Sequence, residues 1–365
     1  MLSVAHVVPL VSVDGIARHH QPSGNNTQFP EKIPEPTRWR RSSTALHGPC
    51  NFCKGKHMEK KILVAVDGSP YSLNSIDYLA LLFKDDLSIN LHLHAVVSEA
   101  GTGQNWMYEV DPLREHAPLT ERRRITAEKF LRDARARLVR NGFAENRVTL
   151  AAEVSHVQAA PSIHREASRG IYDAMVIGRR GMGKVGELFV GSVSAFLIDR
   201  CHDVPLWIID GEVTSSRFLL AVHSTPQSLL AADHLAYIAG SHPESEVFLY
   251  HSNVLFGSEV PAAPVEFHEI WGQEWCDQYL DLDNYLFYAH AQLLKEHGVA
   301  PNRITQLNME RNLNVSRDLI KQAKKHDCGT IVIGRRPREA AKSLFGGVSD
   351  RALSQAQNLA LWLVG

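Results

Sequence analysis

Ile177-Gly-Arg-Arg-Gly-Met-Gly-Lys-Val-Gly-Glu-Leu-Phe-Val-Gly-Ser-Val-Ser194 continues the short apolar run Ala174-Met175-Val176, which has the length and continuity of a buried strand. Gly178 and Gly181 are followed, after nine intervening residues, by Gly191-Ser192. The next residues, through Ala195-Phe196-Leu197-Ile198-Asp199-Arg200, are amphipathic and fit a helix that begins at that pair. A helix start presents unpaired N–H groups and the positive end of the helix dipole, which suits phosphate. Gly178 and Gly181 let the backbone approach a ligand closely. Ser192 and Ser194 add hydroxyl donors, and Arg179, Arg180 and Lys184 add positive charge. This is a phosphate cradle without the Gly-Lys-Ser/Thr ending of a Walker A loop.

Working outward, Ile62 to Val66 is a continuous apolar run, as in a strand covered on both faces of a parallel sheet. Asp67-Gly68-Ser69-Pro70 ends it, with Ser69 placed to cap a helix whose first residue is Pro70. Further strands are expected at Leu91–Val97, Arg147–Val154 and Leu206–Ile209, with helices at 120–141 and 160–169. Residues 99–119 read as a long loop. Alternation of strand and helix predicts a parallel α/β sheet whose ligand lies beyond the carboxyl ends of the strands. Asp67, Val96 and Gly178 all fall at such ends.

The second half repeats the first. Phe218–Leu229 lies over Ile62–Leu73, and Thr330–Arg336 over Ala174–Arg180, at one offset of 156 residues. Leu361-Trp362-Leu363 echoes Leu206-Trp207-Ile208 at 155. A constant offset over such a length marks a duplicated domain. The cradle did not survive duplication: Asp67 becomes His223, Gly181 becomes Pro337, and the Gly-Ser pair becomes Gly346-Gly347-Val348. Arg179 and Arg180 recur as Arg335 and Arg336, which fits a structural role as well as a phosphate contact. The stretch from Asn253 to Leu282 reads as a long loop, whose Trp271 and Trp275 fit packing beneath it or a contact surface.

The 365 residues suffice for two domains, and 44% hydrophobic with 22% charged residues is ordinary for a globular protein. A net charge of −1 opposes a broad nucleic-acid surface, and no apolar run reaches the ~18 residues that span a bilayer. Val7–Val13 lacks the basic flank and cleavage site of a secretory signal. Five scattered cysteines suggest a reducing compartment, hence the cytoplasm. Residues 1–58 read as a disordered tail or as sequence ahead of a start at Met58. Its Cys50, Cys53 and His57 fall short of a four-ligand zinc set.

Asp67-Gly68-Ser69, the Gly178-x2-Gly181-x9-Gly191-Ser192 spacing and the two-fold repeat together resemble the universal stress protein family, tandem type. The resemblance covers about residues 60–365. It implies two tandem five-stranded parallel α/β sandwiches of the adenine-nucleotide-binding kind, at 59–212 and 216–365. It also implies ATP, with magnesium, in the first domain. Ala65 and Asp67 would lie near adenine and ribose and Val96 beside the base. Gly178, Arg179 and Gly181 would border ribose and phosphates, and Gly191, Ser192, Val193 and Ser194 would hold the phosphates. The last strands, Leu206–Ile209 and Trp362–Val364, would pair as an intramolecular pseudo-dimer, with homodimerisation left open. Such a chain would be a nucleotide-dependent regulator with unidentified protein partners. The alternatives are a weak ATPase or phosphotransfer enzyme and a nucleotide-free scaffold. Glu187 is the acid nearest the cradle, and no pattern places it for water activation.

Overall fold

A computed structural model describes residues 59–98, 118–179, 191–240, 242, 244–254, 262–335 and 348–365. All of them belong to one compact unit, Pro36–Gly365. The amino-terminal segment through Met58, with Cys50, Cys53 and His57, lies outside the described residues, as does the stretch 180–190.

The first half runs β1 (Lys60–Ala65), α1 (Pro70–Phe83), β2 (Ile89–Ser98), α2 (Leu119–Arg140), β3 (Val148–Ser155), α3 (Ala159–Arg169), β4 (Ala174–Gly178), α4 (Ser192–Arg200) and β5 (Leu206–Asp210). The second runs β6 (Phe218–Ala221), α5 (Pro226–Ala239), β7 (Val247–Tyr250), β8 (Asn253–Val254), α6 (Pro264–Trp271), α7 (Gln273–Tyr279), α8 (Phe287–Glu296), β9 (Ile304–Gln306), β10 (Arg311–Asn312), α9 (Val315–Lys325), β11 (Thr330–Gly334), α10 (Val348–Gln355) and β12 (Leu359–Val364). Ten strands form one sheet in the order β3-β2-β1-β4-β5-β12-β11-β6-β7-β9, and β8 and β10 pair separately. Every pair is parallel except β5 with β12, which runs antiparallel with Trp207 opposite Trp362.

The strands are continuously apolar because helices cover both faces. Ile62 and Val64 enter one core, beneath α1, α2, α5 and α8, while Leu63 enters the other, beneath α3, α4, α9 and α10. At the centre the two indoles stack with centroids 3.9 Å apart and planes 3° from parallel. Trp207 donates its N–H to His234 (3.1 Å), and Tyr78 hydrogen-bonds Thr330 (2.7 Å). Burial lowers the His234 imidazole to about 3, so it accepts that bond as a neutral ring.

The stretch 253–282 is not a plain loop. Pro264 starts α6 and Glu266 returns a carboxylate to the Ala263 N–H (2.9 Å). Phe267, Trp271, Trp275 and Tyr279 recur every fourth residue, so α6 and α7 turn one aromatic edge inward. Trp271, Trp275 and Cys276 are buried in the same core as the sheet, which makes the tryptophans packing groups rather than a contact surface.

Candidate functional site

Three expected elements meet at the carboxyl end of the first-half sheet. β1 lies between β2 and β4, so Ala65, Val96 and Gly178 end neighbouring strands. Ala65 is half-buried and Val96 buried. After β1 the chain makes an Asx turn: Asp67 Oδ1 accepts both the Ser69 N–H (2.9 Å) and its hydroxyl (2.6 Å). Ser69 Oγ then accepts the Ser72 N–H (3.2 Å), capping α1. Gly68 holds the turn at φ +77°, and a Cβ there would stand 2.3 Å from the Phe130 ring, so no other residue fits without movement. Asp67 thus has a firm local role.

On the β4 side, the Gly191 N–H bonds the Arg179 carbonyl (3.0 Å) and the Ser194 hydroxyl donates to the Gly178 carbonyl (2.8 Å). These two bonds hold the start of α4 against the end of β4. The first helical bond runs from the Ala195 N–H to the Gly191 carbonyl (2.8 Å), and Gly191, at the cap position, offers no side chain. The Ser192, Val193 and Ser194 N–H groups therefore precede the first turn's bonding, where anions bind. Ser192 is exposed and Val193 half-buried, while Ser194 is buried and its hydroxyl is engaged with Gly178.

The Arg179 guanidinium is buried, 1% exposed, and points into the junction between the halves. There it pairs with Asp210 (3.0 Å) and donates to the Leu353 (2.8 Å) and Ala356 (2.5 Å) carbonyls at the end of α10. Arg335, its counterpart, reaches back to the Ile198 (3.0 Å) and Cys201 carbonyls at the end of α4. Each half thus places a cation on the negative end of the other half's last helix. Gly181, Arg180, Lys184 and Glu187 lie outside the described residues, as do Pro337, Gly346 and Gly347.

The sequence reading missed His94, two residues before Val96 on the same face. It is 3% exposed, with Nε2 3.3 Å from Glu153, which Arg165 also holds (2.7 Å). Burial keeps the imidazole below its ordinary value, against the pull of Glu153. Its only signal was the polar residue repeated in the strand Leu91-His92-Leu93-His94.

In the second half the corresponding strand ends are covered by the chain itself. Tyr285 stacks on His251 just after β7 (3.8 Å, 16°). Ser224, after β6, accepts the Ala262 N–H (3.0 Å) and donates to the Leu282 carbonyl (3.5 Å). Tyr285 and Leu286 take the left-handed conformation, φ 54° and 64°, to enter α8 from this cover. His223 stands where the first half has Asp67, and Ser228 bonds both its N–H (2.9 Å) and His290 (2.7 Å).

Residues 58–209 match the model of the Universal stress protein family. Among solved structures, a universal stress protein from Archaeoglobus fulgidus is 16% identical, over 83% of this chain and 97% of that one, with a TM-score of 0.56. A protein from the universal stress protein family from Burkholderia pseudomallei is 27% identical over 33% of this chain and 80% of its own (TM-score 0.25). A universal stress protein in complex with cAMP is 17% identical over 42% of this chain and 97% of its own (TM-score 0.30). The first likeness establishes a shared fold. No curated protein matches the sequence. No helix among the described residues is long and apolar enough to cross a membrane.

Proposed function

We propose that this chain is a tandem universal stress protein that binds ATP with magnesium in its first half and acts as a nucleotide-dependent stress regulator in the cytoplasm. The observation that carries the reading is the uncapped start of α4, pinned beside β4 and next to the Asp67 turn. Ser192, Val193 and Ser194 present their N–H groups to the phosphates, with Gly178, Gly181 and Gly191 allowing close approach. Ala65, Asp67 and Val96 line the adenosine end. The second half, closed by Tyr285, holds no nucleotide and serves as the pseudo-dimer partner through β5 and β12. Binding without efficient turnover is favoured, because Asp67 is committed to a turn and Glu153, the register partner of Val96, is held by Arg165 and faces His94.

Calorimetric titration of the full chain tests it, with Mg-ATP, ADP and cAMP in separate runs. One site per chain is expected for Mg-ATP. Ser192→Asp puts a carboxylate where phosphate would sit while suiting the helix dipole, so it should weaken binding at least tenfold, about 1.4 kcal/mol, with folding intact. A folded wild-type chain that releases no heat with any nucleotide would refute the reading, and tighter binding of cAMP would reassign the ligand.

A further inference from the structure

At the opposite end of α4 from the cradle, three side chains of metal-ligating type converge. Cys201 follows α4, Asp203 lies in the turn into β5, and His164 projects from α3. Their ligand atoms all lie within 4.8 Å of one another. Cys201 Sγ stands 3.7 Å and His164 Nε2 3.8 Å from Asp203 Oδ1. Tetrahedral zinc, with its ordinary bond lengths to sulfur, nitrogen and oxygen, sets ligand–ligand edges of roughly 3.3–3.6 Å. The two closer separations are therefore within a few tenths of an ångström of those edges, and rotation of the half-buried His164 ring would close the third.

We propose that His164, Cys201 and Asp203 form a zinc site with water at a fourth position. A thiolate, an imidazole and a carboxylate are a donor set that suits this ion. Cys201 is fully buried, while His164 and Asp203 keep side-chain exposures of 31% and 44%, so an ion enters from solvent past those two. The Arg335 guanidinium is the nearest cation from the other half, and it engages the Cys201 carbonyl rather than the sulfur. The ion would tie α3 to the α4–β5 turn that Arg335 also grips, fixing the far end of the helix whose start forms the cradle.

The second half lacks the set. Ile320 and Ala356 occupy the positions of His164 and Cys201, and Ala356 is fully buried. Cys201→Ala therefore installs the residue the second half carries there, and Asp203→Asn keeps the side chain's size while removing its charge. His164→Gln keeps a polar group on α3.

The test is equilibrium dialysis of zinc, and Co²⁺ absorption, on the full chain with Cys50→Ser and Cys53→Ser, which removes the amino-terminal thiol pair. The expected result is one metal per chain, a single-thiolate cobalt charge-transfer band, and a thermal midpoint raised by zinc. Cys201→Ala should abolish the band, and Asp203→Asn and His164→Gln should each weaken zinc at least tenfold. Absence of metal from the folded Cys50/Cys53 variant, or metal retained after Cys201→Ala, would overturn the proposal.

Discussion

Arg179 decides between two roles that a glycine-flanked arginine can play, and its replacement separates them. Arg179→Ala removes a guanidinium whose side chain is 2% exposed and whose partner Asp210 is 10% exposed. It also strips the Leu353 and Ala356 carbonyls of their donor. Breaking a buried pair from one side typically costs about 3–5 kcal/mol, because the remaining charge stays buried. For a unit of this size that lowers the thermal midpoint by roughly 5–8 °C. The double change Arg179→Ala with Asp210→Ala should recover part of the loss, since no orphaned carboxylate remains. Urea unfolding followed by tryptophan fluorescence suits the measurement, because Trp207 and Trp362 sit at the same junction. Nucleotide titration of the variant, at a temperature where it is folded, should give near wild-type affinity. A stability loss below ~1 kcal/mol, accompanied by loss of nucleotide binding, would show that the side chain serves phosphate and refute the junction role.

Arg335→Ala, which removes the donor to the Ile198 and Cys201 carbonyls, should destabilise the chain by about 1–3 kcal/mol in the same urea assay. Gly68→Ala should cost more than the ~1 kcal/mol expected of a left-handed alanine, since its Cβ meets the Phe130 ring; a compensating Phe130→Leu should restore part of it in thermal melts. Burial depresses the folded-state values of His234 to about 3 and His290 to about 4. The unfolded chain therefore binds more protons, and stability present above pH 6.5 is lost as pH falls. Each imidazole should remove on the order of 2 kcal/mol between pH 7 and pH 5, measurable as a falling urea midpoint. Trp207→Ala should cost about 3–5 kcal/mol by emptying the central stack and orphaning the His234 acceptor.

The sheet was readable wherever strands are buried on both faces. Ile62–Val66 and Leu91–Val97 fall within a residue or two of β1 and β2, because continuous burial writes a continuous apolar run. β9 left no such mark: it is three residues long at the sheet edge, with Thr305 and Gln306 exposed. The α6–α7 insert carried a legible period in Phe267, Trp271, Trp275 and Tyr279, obscured by the Gly272 break between the helices. At the site, the Asp67 turn and the Gly191 helix start are local and could be read from neighbours. The carbonyl partners of Arg179 lie over 170 residues away, on a helix end that exists only once both halves have folded. No local pattern encodes such a contact. The recurrence of the arginine at position 335 was the one hint.

The β5–β12 junction has a consequence for how its interior can vary. In a symmetric pair of identical chains, every substitution at the joint enters twice and must suit itself across the axis. Here both sides are written separately in one polypeptide, joined by the seven residues 211–217 between β5 and β6. Position 78 is a tyrosine that bonds Thr330, whereas the matching position 234 is a histidine that takes the Trp207 N–H. The Tyr78–Thr330 bond has no mirror image in the other half, since Ala174 stands where a second threonine would be needed. The joint is a lock with two different faces, which a second copy of either side alone would not fill equally well.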